Sequence, residues 1–381
     1  MRINFRSPGT LVSRAIGVAG CVLAASVVML FAQSGGAPMA PKTAEQQFKN
    51  IQVFKGLPAD QLIPTMQFIS ASLGVECEFC HVEHAFDKDD KKTKQMARKM
   101  IAMQNGINKD SFKGETEVTC NTCHRGSNRP MGVPAVADAN WKPAPPQPET
   151  PPPPPQAADA VIAKYIDAVG GASALAKVNS LTEKGNVLSN GRTTPIDVYA
   201  KAPDARITLM HNPNGDNVTA YNGKIGWLAA PGRPVHDMSS AEAAAARLNA
   251  AFAFPADAFK GFTRLRAGRP DKIDDRPVTP VFALQEGQPP VRLFFDDQSG
   301  LLVRMIMYTE TALGRNPTQV DYADFRDVNG VKTPYRWTIS RPGGRFTIQV
   351  DEVKLNAPID DSKFVRPPDP PSPPPTQPTA H

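Results

Sequence analysis

A chain of 381 residues has room for two or three domains, and its 39 prolines, clustered rather than spread, exclude a single compact unit. Half of the net charge of +6 comes from Arg2, Arg6 and Arg14 near the start. The remainder forms no basic stripe of the kind that tracks a phosphate backbone, so no nucleic-acid partner is expected.

Residues 1–40 have the layout of an export signal. The three arginines lead into an apolar run of 18 residues, Ala15 to Ala32, and no acid precedes Glu45. Three fates stay open: cleavage near Ala32, retention of the run as a membrane anchor, or lipidation at Cys21 within Val18-Ala19-Gly20-Cys21. Each delivers the chain outside the cytoplasm, and a periplasmic location is expected.

Ala59 to Leu73 reads as a helix. Leu62, Met66, Ile69 and Leu73 recur at steps of four, three and four on one face, Pro64 falls in the first turns, and Gly74 stops the segment. Beyond it stand two copies of one signal: Cys77-Glu78-Phe79-Cys80-His81 and Cys120-Asn121-Thr122-Cys123-His124. Cysteines three apart place both sulfurs at one edge of a porphyrin for thioether bonding, and the adjoining histidine supplies the proximal iron ligand. Two covalently bound haem c groups are therefore expected, on Cys77 and Cys80 with His81, and on Cys120 and Cys123 with His124. A zinc ribbon prefers about 15–20 residues between pairs, against 39 between Cys80 and Cys120, and leaves both histidines unexplained. Disulfides are the other alternative in an oxidising compartment.

Between the motifs a second helix is expected from about Asp89 to Gln104, with Asp87, Asp89 and Asp90 at its start and Gly106 at its end. Met96, Met100 and Met103 form a sulfur-rich stripe aimed inward, which in most proteins is ordinary core packing. Lys88, Lys91, Lys92 and Lys94 read as a solvated face that could also steer an acidic partner. His84 reads as a loop histidine near solvent.

From Phe48 to Pro130 this pattern resembles the cytochrome subunit of photosynthetic reaction centres. The likeness rests on a methionine helix before the first CxxCH, on Thr93-Lys94-Gln95-Met96-Ala97-Arg98-Lys99-Met100-Ile101-Ala102-Met103, and on Val118-Thr119-Cys120-Asn121-Thr122-Cys123-His124-Arg125-Gly126. It implies that Met66 is the sixth ligand of the His81 haem and Met100 that of the His124 haem, with Met103 as the alternative. The family's well-known members carry four haems in two pairs; this chain has one pair. With His and Met both bound the iron has no open position, which points to an electron carrier rather than an enzyme. Its expected partners are a membrane-bound redox complex and a soluble electron donor.

After Trp141 a proline-rich linker, 141–156, is expected to hold two domains apart as a semi-rigid spacer. Residues 157–365 read as one β-rich domain. A helix from Ala158 to Val169 opens it, stopped by Gly170-Gly171, and a helical piece from Ser239 to Ala251 interrupts short alternating runs. Turn signals stand at Asn190-Gly191, Asn214-Gly215, Asn222-Gly223, Ser299-Gly300, Asn329-Gly330 and Gly343-Gly344. Val291 to Phe295 and Leu301 to Met307 should pair as a hairpin. Helix, Ala-Val-Gly-Gly, and strands ending near Val331-Lys332-Thr333-Pro334-Tyr335 resemble periplasmic lipoprotein-carrier proteins of outer-membrane sorting. That likeness implies a half-barrel with an apolar concave face that holds acyl chains; the domain is expected either to bind a lipid or quinone-like molecule or to serve as a scaffold that docks the haem domain onto a membrane partner. His211 and His236 read as isolated. Residues 366–381 read as a disordered tail.

The expected fold is multidomain: leader 1–40, a mainly α diheme cytochrome domain at 45–140, the linker, and an antiparallel β half-barrel of α+β type. The expected function is periplasmic electron transfer to a membrane redox partner. The alternatives are a diheme peroxidase, which needs a displaceable iron ligand, and a lipid- or quinone-binding protein with accessory haems.

Overall fold

The computed structural model of the chain describes residues 42–130 and 156–368. The expected leader with Cys21, nearly all of the linker and the tail beyond 368 lie outside the described residues. Among the described residues no helix is long and apolar enough to cross a membrane.

The first part is helical: α1 Ala44–Gln47, α2 Ala59–Leu73, α3 Lys92–Ser111 and α4 Cys120–His124, with a 3-10 turn at Cys77–Phe79. Helix α2 has the bounds its spacing predicts, Leu62 and Ile69 are buried on its inner face, and Gly74 ends it in the left-handed conformation with φ 65°. Helix α3 departs from expectation at both ends. Asp89 does not cap it; that carboxylate meets Lys94 at 3.0 Å and Arg98 at 2.9 Å and accepts from Asn50 at 2.9 Å, so the helix begins three residues later. Gly106 does not end it either. A glycine in a helix interior costs about 1 kcal/mol, and beyond it Asn108 exchanges two hydrogen bonds with the Val118 main chain, at 2.7 and 2.9 Å, which hold the helix past the glycine.

The buried face of α3 is Lys94, Ile101, Gln104 and Asn108, spaced by seven, three and four. The methionine stripe lies beside it and has no protein core over it: Met96 is 53% exposed, Met103 50%, and Met100 is half-buried. Lys94 is not solvated as expected. It is buried and donates to the carbonyls of Phe86 and Lys88 at 2.9 and 2.7 Å, while Lys91 donates to the Glu78 carbonyl.

The second part is one sheet with three helices, α5 Gln156–Ala168, α6 Ala172–Leu175 and α7 Ser240–Ala251. Its strands are β1 Ser180–Ser189, β2 Arg192–Lys201, β3 Ala205–Asn212, β4 Gly215–Asn222, β5 Gly226–Ala229, β6 His236–Asp237, β7 Arg264–Ala267, β8 Asp271–Ile273, β9 Arg276–Leu284, β10 Val291–Asp296, β11 Leu302–Thr311, β12 Gly314–Val328, β13 Val331–Arg341 and β14 Gly344–Leu355. The order is β6-β5-β4-β3-β2-β1-β14-β13-β12-β11-β10-β9-β7, with β8 beside β9, antiparallel throughout. The fold is thus a helical part followed by a large antiparallel open sheet, and all six turn signals fall between paired strands. At Asn190-Gly191 and Asn329-Gly330 both residues have positive φ, the geometry a two-residue hairpin with right-handed strand twist needs.

Bulges at Lys184/Gly185 and Phe294/Phe295 bend the sheet. Ser239 caps α7 by accepting from Glu242 N, with the Glu242 carboxylate returning to Ser239 N, so that helix starts where the sequence signal placed it. Tyr165 of α5 meets the rings of Phe259 and Phe295 with centroids 5.9 and 5.3 Å apart, seating α5 on the sheet.

The expectation that a spacer holds the two parts apart is corrected by direct contact between them. The β11–β12 hairpin turns at Ala312 and Leu313, and Leu313 is fully buried in the helical core with Leu62, Phe68, Ile69 and Ile101. An apolar side chain at a hairpin tip is costly in water; burying a leucine contributes about 2 kcal/mol, which favours docking over separation.

Candidate haem-binding site

The first CxxCH forms the 3-10 turn just after α2 and the second forms α4. The two are joined through α2: Gly126 donates its N–H to the Ser72 carbonyl at 2.8 Å, and Gly74 faces the Gly126 carbonyl so closely that a Cβ would collide with it. Helix α3 spans both motifs. At its start Thr93 donates to the Phe79 carbonyl at 2.5 Å, and near its end Asn108 holds Val118, two residues ahead of Cys120.

None of Cys77, Cys80, Cys120 and Cys123 forms a disulfide. Burial pushes the Cys80 and Cys120 thiols up, and Cys120 donates to Gln104 Oε1 at 3.1 Å. The histidines are oriented alike. His81 Nδ1 lies 2.9 Å from the Phe86 carbonyl oxygen and His124 Nδ1 lies 2.9 Å from the Ser127 carbonyl oxygen. A carbonyl only accepts, so each Nδ1 carries a proton, and in the neutral imidazole that tautomer leaves the lone pair on Nε2. An engaged Nδ1–H that fixes the tautomer is how a metal-ligating imidazole is held.

Around the motifs Phe79, Phe86, Met96, Met103 and Ile107 are exposed. These are apolar side chains that a porphyrin could cover. Met66 is half-buried against the helical core, between buried Thr65 and Phe68. His84 is exposed in its loop, where it meets Glu83 at 3.4 Å. Asp89 anchors that loop; the Arg98 guanidinium and then Lys94 hold its carboxyl well below the usual carboxylate range. Sequence spacing missed Gln104, Asn108 and Leu313. For the first two the only signal is their helical register with Ile101; for Leu313 it is a leucine where a turn residue belongs.

A second concavity lies in the sheet. A cavity of about 500 Å³ is lined by residues of β1 to β4, β11 to β14 and α7, mostly apolar, among them Val187, Ile196, Met210, Phe252 and Trp337. Glu183 lines it, 3% exposed, with Arg206 at 3.7 Å and the Arg206 guanidinium stacked over Trp337 at 4.8 Å. Burial pushes the Glu183 carboxyl up to about 7, with Arg206 opposing. His211 and His236 are not isolated as expected: His211 lies 2.9 Å from Asp216 and 3.6 Å from Asp197, and His236 lies 3.4 Å from Glu242. Among the described residues no three His, Cys, Asp or Glu side chains gather as a metal cluster.

Paired CxxCH turns with Nδ1-anchored imidazoles and uncovered apolar surface are the donor set of a c-type cytochrome, and the residues fit covalently bound haem. Residues 26–149 match the family model described as photosynthetic reaction centre cytochrome C subunit. The chain is 35% identical over 94 residues to the photosynthetic reaction center cytochrome c subunit of Thermochromatium tepidum, covering 24% of this chain and 23% of that one. It is 32% identical over 85 residues to cytochrome c-554 of Chloroflexus aurantiacus, covering 20% of each chain. The chain therefore spans about a quarter or less of the length of these curated relatives. Among solved structures, a LolA superfamily protein from Nitrosomonas europaea is similar over 55% of this chain and 97% of that one, at 15% identity and a TM-score of 0.39.

Proposed function

We propose that the chain is a diheme electron carrier working outside the cytoplasm. Cys77, Cys80, Cys120 and Cys123 hold two haems through thioethers, His81 and His124 ligate the irons through Nε2, and Met66 and Met100 supply the sixth ligands, with Met103 the alternative for the second. The observation that carries this reading is the shared anchoring of both Nδ1 atoms on backbone carbonyls. When bound, haem with His and Met ligands supplies one-electron transfer without an open coordination position. The protein supplies the frame: α3 ties to both motifs, and half-buried Met100 stands between exposed Met96 and Met103 on one face of it. The electron acceptor is a membrane-bound redox complex, reaction-centre-like by similarity of the relatives, and the donor a soluble protein. Expression in a host that attaches haem c, followed by intact mass, tests it: two haem additions and a six-coordinate ferric spectrum are expected, and a colourless protein ends the proposal.

The cavity in the sheet favours a second role beside the first. Its volume, apolar lining and one recessed charged pair suit an amphiphile such as a lipid or quinone. Native mass spectrometry of the purified full chain is expected to show a co-purified lipid or quinone released by organic extraction.

A further inference from the structure

The tip of the β11–β12 hairpin reaches the helices that carry both proposed methionine ligands. On α2, Leu313 packs with Leu62, Phe68 and Ile69; the Ala312 N–H points at Thr65 Oγ1 at 3.4 Å; and Asn316 donates to the Pro64 carbonyl at 2.9 Å. Gly314 abuts the tip of the Phe68 ring, where an added Cβ would stand 2.5 Å from Cζ. Thr65 is fully buried, so the residue before Met66 and Phe68 two residues after it are the ones the hairpin packs against. On α3, Gln104 donates to the Leu313 carbonyl at 3.2 Å while its Oε1 accepts from the Cys120 thiol at 3.1 Å. One side-chain amide thus connects a sheet carbonyl to a haem-attachment sulfur.

Two features make this more than incidental packing. The helical core is small, and Leu313 enters it fully buried from 209 residues beyond Gln104 in sequence, so the core is not closed by its own chain segment. The contact also falls at the turn of α2 that carries Met66 rather than at a helix end. A thioether is a weak ligand, and a side chain that must stand at a fixed distance from a metal is sensitive to how its supporting shell is packed.

We propose that the hairpin tip, through Leu313 and Asn316, positions Met66, so that the sheet sets the ligation and the potential of the haem held by His81. This rests on the reading of Met66 as that haem's sixth ligand. Leu313 and Asn316 are positioning residues: they touch the ligand's helix and not the haem.

The test uses the full haem-loaded chain in four variants, Met66→Ala, Leu313→Ala, Asn316→Ala and Leu313→Ile. Redox titration and the far-red thioether-to-iron absorption band of the ferric protein are read beside thermal unfolding. Leu313→Ala is expected to weaken the far-red band and to lower the midpoint of the same single haem that Met66→Ala lowers. The expected change in its oxidised-to-reduced ratio at fixed potential is about tenfold, about 59 mV for one electron. Asn316→Ala, which removes one hydrogen bond and leaves the core filled, should move the same haem by less, and Leu313→Ile should restore both signals. If Met66→Ala changes one midpoint while Leu313→Ala and Asn316→Ala lower only the unfolding temperature, the hairpin is packing and the proposal fails alone. If Met66→Ala changes no midpoint, the ligand reading has failed and takes the proposal with it. Should Leu313→Ala not fold, the Asn316→Ala midpoint decides.

Discussion

Gly74 and Gly126 meet backbone against backbone: the residue that ends α2 faces the carbonyl of the loop after His124, with no room for a Cβ between them. Their approach brings the end of the Met66 helix against the second CxxCH motif. It makes the two motifs one structural unit rather than two loops on separate stems.

Gly74→Ala should therefore be costly for two reasons, the left-handed φ of 65° and the collision with Gly126. Gly56→Ala, at φ 81° with open space around it, isolates the first, which is worth about 1 kcal/mol. Denaturant unfolding of both variants should show the Gly74 change costing at least about 1 kcal/mol more than the Gly56 change. Equal costs would mean that the glycine pair does not bind the motifs together.

Each cysteine pair should hold one haem. Cys77→Ser with Cys80→Ser is expected to leave a protein of one haem by intact mass, and Cys120→Ser with Cys123→Ser likewise. A double variant that retains two haem masses contradicts the assignment.

Met100 and Met103 are separated by a measurement the fold makes clean, since both stand on α3 outside its buried face. Met100→Ala should lower one midpoint potential, while Met103→Ala leaves both within error. The reverse result moves the sixth ligand of the His124 haem to Met103.

Glu183 makes stability fall as pH rises. Its folded value of about 7 lies above the ordinary 4.5 of a glutamate, because burial penalises the carboxylate more than Arg206 repays it. Between those values the folded state holds a proton that the unfolded state has released, so stability is greatest below about 4.5 and declines toward 7. The loss from this group is on the order of 3 kcal/mol. Urea midpoints across that window should slope downward for the native chain and flatten in Glu183→Gln; parallel slopes would assign the trend elsewhere. A ligand that donates a hydrogen bond to Glu183 should move the inflection.

The parts of the fold that are legible in the sequence are those written locally. Helix α2 is readable because its apolar spacing, its proline and its glycine all agree, and the hairpins because asparagine-glycine pairs tolerate the φ their turns require. The candidate site is half legible. The paired CxxCH motifs can be read at sight, but the face of α3 cannot, because its inner side is polar and its apolar stripe is left outside. Lys94 shows why: a lysine among lysines reads as solvated, and it takes the loop carbonyls of Phe86 and Lys88 together with the Asp89 carboxylate to make it a buried donor. The docking of Leu313 has no local signature beyond a misplaced leucine, since its partners lie more than two hundred positions away.

The pairing of β1 with β14 puts the last strand of the sheet at its middle. During synthesis the ribbon before α7 is made without the neighbour that unites it with the ribbon after, and contacts this far apart in sequence form slowly. The helical segment with its cysteines emerges long before Leu313. The helical core is thus completed only after the β11–β12 hairpin has been made, by a side chain that arrives late in the chain.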